Sequence, residues 1–415
     1  MIRFIHTADW HLGQSFHGFD RDFEHSRFLK WLESTLIERK PDALLIAGDI
    51  FDSVNPSAVA QRRFYDFLAS VHSSLPLLQI VLIAGNHDAA ARLEAPSDLL
   101  ESLQITVIGT VARDESATID LSKFLVPLKD SSGTVQALAL AIPFLRPSDV
   151  PYLPEASDLY LDGIRELYRL TTAAALEKQK AHYPGVPLLA FGHCHMQEGA
   201  ESRDSERRLI IGGAEALKTD IFPPELAYVA LGHLHKPQKL DSGRICYSGS
   251  PIPLSFSEKD YYHQVFEGVL QPGLPVELTS LPIPKSVKLL CIPPKAAPIQ
   301  EVLDAIEETS WDASLPPEQH PFVEIRILDD GPDPTRRRKV ELALHDKPVR
   351  LASIKLDSPK SISKENAAFS PIFSDLSALD PETIMSDAHR ELYQSDPDPA
   401  LLDALREILA STALD

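Results

Sequence analysis

Residues 43–52 read ALLIAGDIFD, an apolar run that stops at a glycine and is followed by two acidic residues. A short run of small and branched apolar side chains is typical of a strand that is buried on both faces of a sheet. On either side, residues 28–37 and 58–71 place apolar side chains at helical spacing. This alternation continues to about Leu281 and predicts a layered α/β domain.

Five apolar runs of this kind end in polar clusters. The clusters read HTADWH at 6–11, GDIFD at 48–52, GNHD at 85–88, GH at 192–193 and GHLH at 232–235. In α/β sheets, ligands gather beyond the carboxyl ends of the strands. We therefore expect the five clusters to converge on one site.

The composition limits the functions that the chain can have. Its 415 residues are 44% hydrophobic and 24% charged, which is ordinary for a soluble protein of two or three domains. The formal charge of -20 argues against non-specific coating of nucleic acid, so a role on DNA must depend on local sites, metals or a partner. The three cysteines lie far apart and predict neither a disulfide framework nor a thiolate metal site.

The sequence shows no sign of membrane insertion or export. No run approaches the roughly 18 continuous apolar residues of a membrane helix, and the N-terminal segment reads as a strand without a cleavable leader. We therefore expect a cytoplasmic protein that makes no membrane contact.

The chain divides into three predicted parts. Residues 1–283 form the α/β domain, 284–360 form a small α+β domain, and 361–415 form a linker and a helical tail. One helical face of the tail carries Leu401, Leu405, Ile408 and Leu409. This stripe predicts either a partner-docking surface or packing on the protein's own surface.

The polar clusters have the composition of a divalent metal site. A hard ion such as manganese prefers oxygen and imidazole nitrogen to thiolate sulfur. A carboxylate such as that of Asp49 can bridge two cations about 3.5 to 4 Å apart. Each cluster alone is better explained as a capped turn, but all five in this order favour a two-metal site. The candidate ligands are Asp9, His11, Asp49, Asn86, His193, His233 and His235.

Together, these motifs resemble the calcineurin-like metallophosphoesterase family. Residues 9–14, 142–147 and 247–256 narrow the resemblance to the SbcD family, the nuclease subunits of bacterial SbcCD complexes, over nearly the whole chain. The resemblance implies a layered β-sandwich flanked by helices, with a small capping domain. It also implies two Mn²⁺ ions, with Mg²⁺ as a possible substitute, and an SbcC-type ATPase partner of the ABC class in a heterotetramer that contains a homodimer of this chain.

The resemblance further implies how the ligands divide between the ions. Asp9, His11 and His235 would bind one ion, Asn86, His193 and His233 would bind the other, and Asp49 would lie between them. Because residues 192–195 read GHCH, His195 is an alternative to His193.

His87 is the predicted catalytic acid. Histidine ordinarily titrates near neutral pH, and His87 is adjacent to Asn86 without being needed as a ligand. Asp88 is predicted either to orient His87 or to stabilise the turn.

DNA contacts are predicted for the one dense basic run of an otherwise acidic chain. The alternative is a solvated helix face. The run consists of Arg336, Arg337, Arg338 and Lys339.

The sequence thus favours a manganese-dependent DNA exonuclease and endonuclease that processes double-stranded and hairpin DNA in repair, recombination and replication. One alternative is a phosphatase acting on phosphomonoesters or phosphoproteins, which would need the same ligand order. The residues after 283 favour the nuclease because they need a further purpose, such as a partner interface. The other alternative is a non-catalytic scaffold that binds DNA ends, and the intact ligand set argues against it.

Overall fold

The computed structural model describes residues 1–113, 118–156, 158–202, 216–329, 331 and 333–357, and the short segments 385–386, 389–390, 395–398, 401–402 and 404–405. Met1–Asp357 form one compact unit and Ser358–Asp415 a second. In the tail, Leu401 and Leu405 lie in helical segments, whereas Ile408 and Leu409 lie outside the described residues. The role of the leucine stripe therefore stays a prediction.

The first unit alternates strands and helices. Its strands are β1 (Ile2–Thr7), β2 (Ser15–Phe16), β3 (Phe19–Asp20), β4 (Ala43–Ala47), β5 (Gln79–Ile83), β6 (Ile105–Ile108), β7 (Leu125–Lys129), β8 (Val135–Ala141), β9 (Leu188–His193), β10 (Leu226–Gly232), β11 (Gln238–Leu240), β12 (Ile245–Tyr247), β13 (Gln264–Leu270), β14 (Glu277–Pro282), β15 (Leu289–Ala297), β16 (Phe322–Leu328) and β17 (Arg350–Asp357). Its α-helices are α1 (Asp22–Arg39), α2 (Ala58–Ser74), α3 (Ala90–Glu94), α4 (Ser97–Glu101), α5 (Leu159–His182), α6 (Ile299–Glu308) and α7 (Arg336–Leu344).

Two six-stranded sheets form a sandwich. Their strand orders are β14-β13-β1-β4-β5-β6 and β11-β12-β10-β9-β8-β7. Strands β1, β4, β5 and β6 run parallel in the first sheet, and β8, β9, β10 and β12 run parallel in the second. This arrangement confirms the predicted layered α/β sandwich.

Strand β4 shows how the sequence produces the layers. Its five residues are buried, and their side chains alternate between two cores. Leu45 packs into the core between the sheets, whereas Leu44 and Ile46 pack into the core that lies between the first sheet and helices α1 and α2. Each side chain of this size contributes about 1.5–3 kcal/mol when it is fully buried. The apolar run at 43–47 therefore reads as a strand because both faces of its sheet are covered.

The helices cover the outer faces of the sandwich, as their apolar spacing predicts. Phe28 of α1 and Phe64 of α2 pack on the first sheet, and Tyr168 of α5 packs on the second. Helix α2 begins after Ser57, whose hydroxyl oxygen accepts a hydrogen bond from the Ala60 amide at 3.1 Å. None of the described helices is both long and apolar enough to span a membrane.

The part of the first unit that runs from β15 to β17, which we call the small unit, is built from two strand-helix-strand repeats. Strands β15, β16 and β17 are parallel, with β16 in the centre and helices α6 and α7 in the connections. The division of the small unit from the sandwich at residue 284 stays a prediction.

An aromatic junction joins the small unit to the sandwich. We define it as Phe16, Phe256, Val287, Leu289 and Phe322, all of which are buried. Phe16 belongs to the β2–β3 hairpin and Phe322 is the first residue of β16. The ring centroids of Phe16 and Phe322 lie 5.0 Å apart.

Candidate metal centre

The candidate ligands lie where the parallel strands of both sheets end. Asp9, Asn86 and His233 follow β1, β5 and β10, Asp49 follows β4, and His193 is the last residue of β9. The structure therefore brings the five polar clusters together, as the strand-end argument predicts.

Several of these residues have a backbone conformation that side chains other than glycine rarely adopt. The φ angles are 54° for Asp9, 46° for His11, 48° for Asp49 and 103° for His233. Backbone bonds between loops hold two of them, because the amides of Asp9 and His11 donate to the carbonyls of Gly48 and Asp49 at 3.0 Å. Strain of this kind concentrates at functional sites, where the surrounding structure must stabilise it.

Close packing of the loops explains one glycine of the motifs. A Cβ atom at Gly85 would lie 2.1 Å from the Oδ1 atom of Asp49 and 2.3 Å from its amide nitrogen. Neither atom can move without displacing the loop after β4. Residue 85 must therefore be glycine for the Asp49 and Asn86 loops to meet.

One group of ligand atoms gathers around Asn86. Its side-chain oxygen lies 2.9 Å from Nε2 of His193 and 3.1 Å from Nδ1 of His233. The Nδ1 atom of His193 lies 2.9 Å from the Ala47 carbonyl oxygen, which accepts a hydrogen bond from the ring. The Nε2 lone pair of a neutral His193 then faces the Asn86 oxygen, and two acceptors in contact need a cation or a proton between them.

Asp49 lies between this group and His11. Its Oδ2 atom is 3.4 Å from Nε2 of His193 and 3.6 Å from Nε2 of His11. This is the placement that a bridging carboxylate requires.

The other group of candidate ligands contains Asp9, His11 and His235. The rings of His11 and His235 lie 5.1 Å apart. The Oδ2 atom of Asp9 and the Nε2 atom of His11 are buried without a hydrogen-bond partner in the structure. Buried polar atoms ordinarily have partners, so these two atoms fit a site that a cation would complete.

The electrostatics of the site also fit cation binding. Burial raises the pKa of Asp9 to about 7. Burial acts on Asp49 in the same direction, but the neighbouring His193, His11 and His87 outweigh it and hold the pKa of Asp49 below its ordinary value. Burial opposes the charged form of His193, yet Asp49 raises its pKa to about 9. A bound cation would take over the role of the proton that these groups share.

A second layer of polar groups orients the imidazoles. Nδ1 of His235 lies 2.9 Å from Oε1 of the buried Glu258, and Nδ1 of His11 lies 3.2 Å from Oδ1 of Asp52. Carboxylates behind ligating histidines fix the ring and its tautomer. The sequence reasoning missed the roles of Glu258 and Asp52. Asp52 belongs to the GDIFD motif at 48–52 and could have been found from it, whereas no local sequence signal marks Glu258.

His87 lies beside His11. The two rings are 4.8 Å apart, and the His87 amide donates to Oδ1 of Asp49 at 2.8 Å. The Nδ1 atom of His87 lies 2.8 Å from the carbonyl oxygen of Asp52, which accepts a hydrogen bond from the ring. This carbonyl makes the orienting contact that the sequence suggests for Asp88.

Asp88 is buried beneath the loops. Its carboxylate accepts hydrogen bonds from the amides of Ile50 at 3.2 Å, Phe51 at 3.0 Å and Gly85 at 2.8 Å. These bonds tie the loop after β4 to the loop after β5. The contacts support the turn-stabilising alternative, and a catalytic role for Asp88 stays a prediction.

His195 is placed differently from His193. Its Nε2 atom lies 3.3 Å from a carboxylate oxygen of Glu201, and its ring is 6.0 Å from that of His233. His193 contacts Asn86 and Asp49 directly. The geometry therefore favours His193 as the ligand.

The basic run forms the start of α7 on the small unit. Arg336 is mostly buried, and its guanidinium donates to Oδ1 of Asp329 at 3.1 Å and to the carbonyl of Gly331. Arg337, Arg338 and Lys339 are exposed. The guanidinium of Arg336 holds the neighbouring loop by these hydrogen bonds. This is a structural role and differs from the DNA contact that the sequence predicts. DNA binding by the other three residues stays a prediction.

Comparisons with known proteins agree with the geometry. Residues 2–237 match the calcineurin-like phosphoesterase family, and residues 285–393 match the type 5 capsule protein repressor C-terminal domain.

Curated relatives extend the similarity along the chain. The chain is 40% identical over 389 residues to the SbcD subunit of the SbcCD nuclease from Rhodobacter capsulatus, covering 93% of this chain and 94% of the relative. It is 30% identical to the protein of that name from Escherichia coli K12, covering 85% of each, and 35% identical to that from Bacillus subtilis, covering 66% of this chain and 67% of the relative.

Proposed function

The chain belongs to the SbcD family of calcineurin-like phosphoesterases, and we propose that it cleaves DNA phosphodiesters as the nuclease subunit of a complex with an SbcC-type ATPase. The observation that carries the proposal is the convergence of carboxylate, amide and imidazole ligands at one edge of both sheets. In the described part of the chain, the groups of three His, Asp or Glu side chains close enough to hold one ion both lie at this edge, and they are Asp9, Asp49 and His193 and His11, Asp49 and His87.

The proposed cofactor is a pair of Mn²⁺ ions, with Mg²⁺ as a possible substitute. Carboxylate and amide oxygens and imidazole nitrogens, without thiolate sulfur, are the ligands that a hard divalent cation prefers. Asp9, His11 and His235 would hold one ion, and Asn86, His193 and His233 the other. The contacts of Asp49 with both groups support its role as the bridge.

Hydrolysis of a phosphodiester requires that the charge of the phosphate be neutralised and that a nucleophile form at neutral pH. Two bound cations supply both. The chain itself supplies a rigid set of ligands, because the loops that carry Asp9, His11 and Asp49 are bonded to one another. Rigid placement matters because positioning accounts for much of phosphoryl-transfer catalysis.

His87 is proposed to protonate the departing sugar oxygen. The Asp52 carbonyl accepts the Nδ1 proton of the ring, so when the imidazole is doubly protonated the Nε2 proton is the one available to a substrate. Its amide bond to Asp49 fixes His87 relative to the proposed bridging ligand. The ring is partly exposed, which gives substrate access to it.

An apolar hollow lies beside the candidate ligands. His193 and His233 form one side of it, and Phe144, Leu145 and Tyr160 line the remainder. A flat apolar group next to the phosphate, such as a base, would bury surface there.

The rest of the chain is proposed to serve substrate and partner binding. Residues 284–360 would act as the capping domain, with the exposed residues of α7 contacting phosphates, and 361–415 would dock on the ATPase. We further propose a homodimer of this chain within a heterotetramer, located in the cytoplasm, where it would process double-stranded and hairpin DNA during repair, recombination and replication.

The proposal is tested by comparing two substrates in the presence of Mn²⁺. The native chain, with and without the ATPase partner, is incubated with linear or hairpin-ended DNA and with a chromogenic phosphomonoester. We expect DNA cleavage that is lost when the metal is chelated. Hydrolysis of the monoester alone would favour the phosphatase, and DNA binding without any hydrolysis would favour the scaffold.

A further inference from the structure

We propose that Glu258 and Arg21 are positioning residues that couple the ion bound by Asp9, His11 and His235 to the docking of the small unit. The inference rests on the two-ion site proposed above and goes beyond it. It assigns a structural link between the small unit and only one of the two proposed ions.

The link begins behind His235. The side chain of Glu258 is fully buried, and its Oε1 atom lies 2.9 Å from Nδ1 of His235. The carboxylate accepts the Nδ1 proton and so leaves Nε2 as the ligand atom. The other oxygen, Oε2, accepts a hydrogen bond from the Leu254 amide at 2.8 Å. Glu258 therefore fixes the ligand and residues 250–256 together.

Arg21 holds the same segment from the other side. Its Nη1 atom donates to the carbonyl oxygen of Pro253 at 3.0 Å and to Oε1 of Gln14 at 3.1 Å. The side-chain nitrogen of Gln14 donates to the Leu254 carbonyl at 3.1 Å, and its backbone N–H donates to the His11 carbonyl at 3.0 Å. Arg21 thus contacts the segments that carry both His11 and the support of His235.

The charge of Arg21 is compensated within this network. Arg21 is 1% exposed and Glu24 is 2% exposed. The Nε and Nη2 atoms of Arg21 donate to the two carboxylate oxygens of Glu24 at 2.5 and 2.6 Å. This paired geometry fixes the guanidinium plane, so Arg21 can transmit a displacement rather than absorb it.

The flat face of Arg21 meets the aromatic junction. Its guanidinium carbon lies 4.8 Å from the ring centroid of Phe16 and 5.5 Å from that of Phe322. Arg350, the first residue of β17, contacts the ring of Phe322 at 3.7 Å. Phe322 is therefore in contact with cations from the sandwich and from the small unit, and a shift of the small unit must disturb Arg21.

The ligands of the other ion are supported from within the sandwich. The ring of His193 is bonded to the Ala47 carbonyl, and the side-chain oxygen of Asn86 lies 2.9 Å from Nε2 of His193 and 3.1 Å from Nδ1 of His233. These supports belong to the loops and strand ends of the two sheets. Loss of the link should therefore weaken one ion and spare the other.

The test is a titration of the metal-stripped chain with Mn²⁺, followed by calorimetry and by electron paramagnetic resonance. The native chain should bind two ions and show the spin-coupled signal of a close pair. Glu258→Gln should weaken one ion by about 10- to 100-fold, the usual effect of losing an outer-shell partner, and leave the other within about threefold. Phe322→Leu, which acts through Arg21, should weaken the same ion by a smaller factor. At intermediate Mn²⁺ both variants should show the signal of an isolated ion.

Val302→Ala is the matched control. Val302 is fully buried in the core of the small unit and lies outside the aromatic junction. This variant should be less stable to unfolding yet bind both ions as the native chain does.

The outcomes separate this inference from the proposed function. A native chain that binds no ion would contradict the two-ion site itself. If the native chain binds two ions and Glu258→Gln binds them equally well, only the link is wrong. If Val302→Ala weakens the ion bound by Asp9, His11 and His235 as much as Phe322→Leu does, the effect is general destabilisation and the coupling is overturned.

Discussion

The Nε2 atom of His193 lies 2.9 Å from the side-chain oxygen of Asn86. This contact distinguishes His193 from His195, whose ring is directed to Glu201. We predict that His193→Ala lowers the affinity for one Mn²⁺ ion by at least about 100-fold, the upper end of the effect of an outer-shell change. His195→Ala should leave both affinities within about threefold, because its Nε2 atom lies beside the carboxylate of Glu201. Calorimetric titration measures both, and the reverse pattern would make His195 the ligand.

His87 gives a prediction that separates binding from chemistry. We expect His87→Ala to cleave DNA about 10²- to 10⁴-fold more slowly because it lacks the proton donor. The carbonyl of Asp52 holds the Nδ1 atom of the His87 ring and the proposed ligands do not depend on that ring, so Mn²⁺ stoichiometry and DNA affinity should persist. Rate measurements at saturating metal, with parallel binding assays, test this. Loss of an ion from the variant would make His87 a ligand.

The basic run gives a prediction about salt dependence. Replacing Arg337, Arg338 and Lys339 together by Gln should lower the slope of log affinity for DNA against log salt by up to about 3, at roughly 0.9 per phosphate contact. Arg336→Gln should instead destabilise the fold by about 0.5–1.5 kcal/mol, because the part-buried hydrogen bonds to Asp329 and Gly331 are lost.

The two variants are compared by DNA binding at several salt concentrations and by denaturant unfolding. An unchanged slope in the triple variant would remove these residues from the DNA contact surface.

Because the side chain of His6 is buried, we predict that it lowers the free energy of unfolding in acid. Its Nδ1 atom lies 2.9 Å from the hydroxyl of Tyr228 and its Nε2 atom 3.2 Å from the carbonyl of Leu231. Burial lowers the pKa of His6 from 6.5 to about 3. Between these values the unfolded chain binds a proton that the folded chain does not. The contribution of His6 is therefore complete above pH 6.5 and is lost by up to about 1.4 kcal/mol per pH unit below it.

The measurement is the free energy of unfolding between pH 7 and pH 5 for the native chain and for His6→Gln. The glutamine cannot take up a proton, so the pH dependence of the variant should be shallower. Equal slopes would show that His6 is not a source of the acid sensitivity.

The main strands and the convergence of the candidate ligands could be predicted because their signals are local. The run at 43–47 is apolar at every position, and Asp49 follows within two residues, so strand and ligand appear together in the sequence. The order of the polar clusters then placed them at one edge, since parallel strands end on the same side.

The supports of the ligands could not be predicted in this way. Glu258 reaches His235 from 23 positions further along the chain, and only packing of residues 250–256 against Arg21 brings it there. The burial of Arg336 depends on the loop that accepts its hydrogen bonds, and a run of arginines looks the same in sequence whether one is buried or all are solvated. Packing between distant segments decides the first case, and the conformation that places Asp329 and Gly331 beside the helix decides the second.

The most direct test of the two-metal nuclease is DNA cleavage by the metal-stripped chain as Mn²⁺ is added, beside Asp49→Asn. The Asp49 carboxylate lies between His11 and His193, one from each proposed group of ligands. The native chain should be inert without metal and cleave linear duplex DNA as Mn²⁺ rises, whereas the variant should stay inactive at every concentration. Cleavage by the metal-free chain, or equal cleavage by Asp49→Asn, would contradict a mechanism that depends on a bridged pair of ions.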